Sequence, residues 1–244
     1  MPLVSFKEKA RRILQVFFAL AAYRDFKLLF VLLKAGELGQ MTSFIESNFL
    51  YRCAKNGWGG GAIVEIGSFK GRTTICLALG SKMTGREMVY AIDPQPDLSI
   101  REQFIRNLTR AKIIKQVVPL FQKSEEAVRD FSSPVRLLFI DGNHEYEAVK
   151  QDILLWQGKV IDGGIIAFHD YFPETNPAFL AGVNKAISEL VLNSPEFIVE
   201  GRVDSVLFVS KKRTENKALF DQTNKINKLR EYCKAKLDHT WFKY

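Results

Sequence analysis

From residue 62 onward, short unbroken apolar runs alternate with stretches whose apolar residues recur every three or four positions. Ala62–Ile66, Met88–Ile92, Gln116–Phe121, Leu137–Ile140 and Gly164–Phe168 read as strands. Arg72–Leu79, Ile100–Ala111, Ser124–Phe131, Glu145–Trp156 and Ala178–Leu192 read as the helices that follow them. The runs are continuous Val, Ile, Leu and Phe rather than alternating, which predicts strands covered on both faces. Five strand–helix units in succession imply a parallel sheet with helices on either side. The alternation then stops. Phe197–Glu200 and Val206–Ser210 are joined by Gly201–Ser205, a segment too short for a helix, so they should pair as an antiparallel hairpin.

Upstream, Thr42–Asn56 reads as a helix with Thr42 as its N-cap and Ile45, Phe49 and Leu50 on one face, and Gly57–Gly61 ends it. Phe6–Arg12 is basic and Ile13–Tyr23 is uncharged and largely apolar, the order found in signal peptides. No small-residue cleavage pattern follows. Arg24, Asp25 and Lys27 come next, before Leu28–Leu33. One span over 13–33 would hold those charges near its centre, at roughly 2.5–3.5 kcal/mol each. A helical hairpin packed on the domain is the expectation, and a basic amphipathic helix on an anionic membrane surface is the alternative. At the other end, Leu219, Ile226 and Cys233 fall seven apart in a basic amphipathic tail that closes with Trp241, Phe242 and Tyr244. The chain thus divides into an N-terminal helical extension (1–56), a central domain (57–210) and the tail (211–244).

Charge changes this picture in one respect. The chain of 244 residues carries 35 Lys and Arg against 27 Asp and Glu, a net of +8. Residues 1–40 hold seven basic and three acidic side chains, and 211–244 hold ten and four. The segment 41–210 holds eighteen and twenty, so the basic excess lies wholly in the ends. A nucleic-acid-binding core carries its own basic face, so no nucleic-acid partner is expected. Three cysteines without a CxxC point to a reducing, cytoplasmic setting rather than a disulfide or zinc scaffold.

Candidate chemistry sits at the ends of the predicted strands. The first runs Ile63-Val64-Glu65-Ile66-Gly67-Ser68-Phe69-Lys70-Gly71-Arg72-Thr73-Thr74. Gly67 permits a sharp turn and close backbone approach to a ligand, and Gly71 removes bulk where the helix begins. Helix N-terminal amides there face the crevice at the carboxyl ends of the strands. The spacing is neither G-x-G-x-x-G nor a P-loop. The second strand ends in Asp93, 26 residues after Gly67 and suited to accept ribose hydroxyls. Together these features predict a nucleoside-containing cofactor. The fourth strand ends in Asp141-Gly142-Asn143-His144 and the fifth in His169-Asp170-Tyr171. In a parallel sheet both ends open onto one crevice, so Asp141, His144, His169 and Asp170 should converge. Carboxylates and an imidazole can hold a divalent ion that lowers the pKa of a substrate hydroxyl. His144 is suited to act as a general base near neutral pH. Tyr171 and Phe172 are placed to wall a sugar or aromatic ring.

E-I-G-S-x-x-G-R-T-T followed by Y-A-I-D-P resembles the S-adenosylmethionine site of class I methyltransferases, and the likeness covers about residues 40–210. The resemblance implies a Rossmann-like, mostly parallel seven-stranded sheet with a C-terminal antiparallel hairpin. It implies a cofactor site at Glu65, Gly67, Ser68, Gly71, Asp93, Ser124 and Asp141. Glu65 and Gly67 would lie by the methionine end, Asp93 at the ribose and Ser124 near the adenine. Lys123 stands where the family often has an acidic or small residue. I-D-G-N-H-E-Y-E-A-V-K-x-D-I and G-G-I-I-A-F-H-D-Y are similar to a bacterial group related to macrocin O-methyltransferase and cephalosporin hydroxylase. In the metal-dependent catechol O-methyltransferases the matching positions hold an acid, a lysine and an acid–amide pair; here they are Asp141, His144 and His169-Asp170. The expectation is O-methylation of a sugar or small-metabolite hydroxyl, with His144 and Asp141 catalytic. A divalent ion such as Mg would sit on Asp141, His169 and Asp170. An iron-dependent hydroxylase on the same scaffold, or a non-catalytic module tethered by its basic ends, is the alternative. A homodimer and peripheral membrane contact are further expectations.

Overall fold

The computed structural model describes residues 26–36, 38 and 42–213. The hairpin expected over 13–33 falls largely outside them, and the amphipathic tail lies almost wholly outside them. Within them the helices are α1 (Phe26–Ala35), α2 (Phe44–Asn56), α3 (Arg72–Met83), α4 (Leu98–Arg110), α5 (Ser124–Asp130), α6 (Tyr146–Trp156) and α7 (Ala181–Ile187). The strands are β1 (Ala62–Ile66), β2 (Val89–Ile92), β3 (Val117–Leu120), β4 (Val135–Ile140), β5 (Val160–Phe168), β6 (Phe197–Val203) and β7 (Val206–Lys211).

They form one seven-stranded sheet in the order β3-β2-β1-β4-β5-β7-β6. β1 to β5 run parallel, and β7 lies antiparallel between β5 and β6. The parallel strands and terminal hairpin are those the sequence pattern predicts, and the whole is the Rossmann-like seven-stranded sheet that the resemblance implies. Side chains alternate across it with period two. Ile63, Leu137, Phe139, Ile165, Ala167 and Phe208 share one core with α1 to α4. Val64, Ile66, Leu138, Ile140, Ile166 and Phe168 share the other with α5 to α7.

Several boundaries differ from the sequence reading, and three bear on how the elements are held. The N-cap of α2 is Ser43, not Thr42. Its hydroxyl accepts from the Glu46 amide, and Glu46 returns a bond to the Ser43 amide, closing a capping box. β4 begins two residues earlier than its apolar run because Arg136 is buried with partners. It contacts Glu87 Oε2 at 2.8 Å and donates to the Ala54 carbonyl at 2.6 Å, tying the end of α2 to the sheet. The helix expected over 178–192 is divided into a 3-10 turn, α7 and a π turn at Ser188–Leu192.

α2 is part of the packed body. Phe49, Leu50, Tyr51, Cys53 and Ala54 are buried against the sheet core, and α2 lies along α3. This packing brings Glu46 to the strand ends.

Candidate active site

The carboxyl ends of β1, β2, β4 and β5 are stitched together by the last ladder bonds. The Gly67 amide donates to Ile92 O, the Asp141 amide to Ile66 O and the His169 amide to Ile140 O. Gly67, Asp141 and His169 are therefore set side by side by backbone geometry. They border or underlie a cavity of about 550 Å³, a size ordinary for small-molecule sites.

Gly67 has φ 89°, and a Cβ there would lie 2.0 Å from the Asp141 carbonyl oxygen. No side chain fits between the two strand ends. Gly71, also at positive φ, caps α3 and turns back to donate to Ser68 O at 2.8 Å. Asp93 clamps the loop between them. Its Oδ2 accepts from the Phe69 amide at 2.8 Å and its Oδ1 from the Gln95 amide at 3.1 Å. Each carboxylate oxygen keeps acceptor capacity for a ribose hydroxyl. Gln95, which the sequence reading did not single out, is buried, has φ 39° and donates to Phe69 O at 2.6 Å.

Ser68, Gly67, Asp93, Ser124 and Asp141 line the cavity, with Leu38 and Thr42 on its N-terminal side. Glu65 does not. The resemblance sets it by the cofactor, but it is wholly buried beneath the loop, where Thr74 donates to one of its oxygens and the other has no partner. Burial, outweighing the Thr73 and Thr74 hydroxyls, pushes its carboxyl up to about 8. Tyr171 and Phe172 also differ from expectation. They pack against the second core instead of walling the cavity.

The chemical end has two layers. Facing the cavity, His144 Nε2 lies 3.1 Å from Asp170 Oδ2, and Asp141 stands beside them. Ligand atoms of Asp141, His144 and Asp170 all lie within 4.8 Å of one another. Beneath them is His169, 4% exposed. Its Nδ1 is 3.1 Å from Asp141 Oδ1 and 3.1 Å from Asp170 Oδ2, and its Nε2 is 3.5 Å from Glu46 Oε2. These are ion-pair distances without aligned hydrogen bonds. The sequence reading made His169 a metal ligand and His144 only a base. The structure puts His144 in the open donor set and His169 below it.

Charge explains the layering. Burial alone would lower the His169 pKa, but Asp141, Asp170 and Glu46 outweigh it and carry the imidazole up to about 12. It is an imidazolium held among three carboxyls. Burial opposes ionisation of Glu46 too, yet His169 and the Ser205 and Ser43 bonds hold its carboxyl below the usual range. Asp170 is also held low, because His144 and His169 overcome its burial. Asp141 goes the other way: burial raises it, only partly offset by His169. His144 is raised, first by Asp170, against its own burial.

Glu46 is the residue that strand-end reasoning missed. It comes from α2, and its Oε1 also accepts from the Ser205 amide at 2.9 Å and hydroxyl at 2.6 Å. The signal was present in the sequence as Ser43-x-x-Glu46, the capping-box spacing. Placing the cap at Thr42 hid it.

Strand order, hairpin and crevice define the class I methyltransferase architecture. Residues 64–171 match the family model described as a methyltransferase domain. Residues 64–171 are thus similar to a methyltransferase domain, and the sheet has the fold of the class I architecture. Among solved structures it is similar to cofactor-bound Rv0187 from MTB (TM-score 0.58, 22% identity, 81% of this chain and 90% of that one). It is also similar to an O-methyltransferase from Bacillus cereus in complex with SAH (TM-score 0.58, 18% identity, 78% and 91%). A third is the O-methyltransferase TomG from Streptomyces achromogenes, in complex with SAM (TM-score 0.56, 16% identity, 75% and 90%). A curated relative, an uncharacterised protein of Acanthamoeba polyphaga mimivirus, is 28% identical over 134 residues. That match spans 52% of this chain and 59% of the relative, so the chain covers under two thirds of that protein. No described helix is long and apolar enough to cross a membrane.

Proposed function

We propose that the chain transfers the methyl group of S-adenosylmethionine to a hydroxyl of a small acceptor, a saccharide or similar metabolite. The observation that carries this reading is the His144–Asp170 pair, 3.1 Å apart on the wall of the cavity that Asp141 and the glycine loop also line. Bound along Gly67, Ser68 and Asp93, the cofactor supplies an electrophilic methyl on a sulfonium. Asp170 takes the Nε2–H side of His144, which leaves Nδ1 to receive the acceptor's hydroxyl proton. His169 fixes Asp170 and Asp141 from below, so the base cannot swing away from the cavity. Asp141 and Asn143 offer oxygens that can orient neighbouring hydroxyls of the acceptor. Similar structures in complex with SAM or SAH support the cofactor, and the polar side chains of Asp141, Asn143, His144 and Asp170 on the cavity wall support a polyhydroxylated acceptor.

A second reading follows from the donor set. Two carboxylates and one imidazole within 4.8 Å fit a divalent ion, and the imidazole suits a first-row transition ion better than Mg. Asp141, His144 and Asp170 would hold it, and it would lower the pKa of an acceptor hydroxyl. His144 would then be a ligand and not the base.

The test is transfer of label from methyl-labelled S-adenosylmethionine to a panel of hydroxylated acceptors, before and after exhaustive chelation. Label on oxygen that survives chelation supports the base reading. Activity that vanishes and returns with one equivalent of metal supports the second. Label found only on nitrogen or carbon overturns O-methylation.

A further inference from the structure

The adenine end of the cavity has an unexpected occupant, and its reading rests on S-adenosylmethionine as the cofactor. With the ribose at Asp93, the base must extend from the β2 end toward the wall made by the start of α5 and the face of α6. Lys123 stands where the resemblance leads one to expect an acidic or small residue. Its side chain is 65% exposed and lies 3.8 Å from Glu125. Ser124 lines the wall, but its hydroxyl is engaged: it accepts from Trp156 Nε1 at 2.8 Å and stands within hydrogen-bonding reach of the Asp152 carboxylate. Gln151, the neighbouring α6 side chain on this wall, is exposed.

Asp152 is different. It lines the cavity, is 8% exposed, and stands close under Gly142, where a Cβ would lie 3.6 Å from its Oδ2. A carboxylate has about four acceptor positions, and Ser124 fills one. Burying a carboxylate on so few donors is costly, and burial, only partly offset by Ser124, raises its carboxyl to about 6. A ligand N–H directed at it would repay that cost.

We propose that Asp152 is the residue that reads the cofactor's base, by accepting a hydrogen bond from the exocyclic amine of adenine. It replaces, from α6, an acceptor that Lys123 cannot provide from the β3–α5 loop. The chain Trp156–Ser124–Asp152 holds the carboxylate at a fixed orientation, which is what selection for an amine over a carbonyl requires.

The test compares binding of S-adenosylhomocysteine and S-inosylhomocysteine to the full chain by titration calorimetry. The second ligand presents a carbonyl oxygen where adenine has its amine. The wild type should prefer the adenosyl ligand by about 30-fold, the order expected for a hydrogen bond to a charged group. Asp152→Asn can turn its amide toward either group, so its preference should fall to about threefold or less. A role confined to holding Ser124 and Trp156 would weaken both ligands equally and leave the ratio alone. A wild type that binds both ligands alike overturns the proposal without any variant. So does an Asp152→Asn that keeps the full ratio. Failure of the wild type to bind either ligand at millimolar concentration overturns the cofactor reading itself, a result separable from both.

Discussion

The two halves of the cavity are built on opposite principles. The half under β1 and β2 is made of backbone: glycines at positive φ, a tight turn, and amides gathered by Asp93. The half at the ends of β4 and β5 is made of charge: an imidazolium, three carboxylates and a second histidine, drawn from α2, β4, β5 and their loops. The first positions a ligand by leaving room for it. The second positions reactive groups by making each the counter-charge of another. Damage should therefore show as lost fold or lost cofactor on one side, and as lost turnover on the other.

The largest effect is expected at Gly67→Ala. The new Cβ meets backbone 2.0 Å away at φ 89°, and neither strand end can move without breaking the ladder. A loss of at least about 3 kcal/mol, or no folded protein, is expected in chemical denaturation. A variant as stable as the wild type would break the contrast at its strongest point.

On the charged side, His144→Ala should lower turnover by about 10²–10⁴-fold, the range for a general base. Cofactor affinity by calorimetry should stay within about threefold. Turnover near the wild-type value would remove His144 from the chemistry.

Glu65 belongs to the backbone half and offers a pH test. Its folded pKa of about 8 lies above the usual value of 4.5, so the fold binds its proton more tightly than the unfolded chain does. Its stabilising contribution is full below pH 4.5 and is lost as pH rises toward 8. Glu65→Gln cannot lose that proton. The variant should therefore have the flatter stability curve between pH 5 and 8, diverging by on the order of 3 kcal/mol at the top. Parallel curves in urea titrations would show that Glu65 is not held neutral.

Glu46→Gln is the mildest and most discriminating change. Glutamine keeps the capping-box geometry, so the melting temperature should shift by only a few degrees. The His169 imidazolium loses one counter-charge, and we expect turnover to fall by about tenfold with KM unchanged. An equal loss in stability and no change in turnover would reduce Glu46 to a helix cap.

The contrast also explains what was legible beforehand. The glycine loop and Asp93 are local: their spacing follows from one strand, one turn and one helix, so the sequence carries them directly. Asp141 and Asp170 were readable because parallel strands end on one side of a sheet. The layering of the two histidines was not, since it depends on which ring reaches the cavity after both strand ends have twisted. Glu46 was hidden for a simpler reason. It lies 95 positions before Asp141, and only the packing of α2 on α3 brings it in. The full burial of Glu65 against Thr74 at the start of α3 was not readable either, since it follows from the packing of that helix on β1. Asp152 reads in sequence as one polar position on an amphipathic helix.

Titration of S-adenosylmethionine into the wild type, Asp93→Ala and His144→Ala under one set of conditions bears most directly on this division of labour. We expect micromolar binding by the wild type, at least tenfold weaker binding by Asp93→Ala, and wild-type binding by His144→Ala. No binding by the wild type at millimolar cofactor, or an equal loss in both variants, would contradict it.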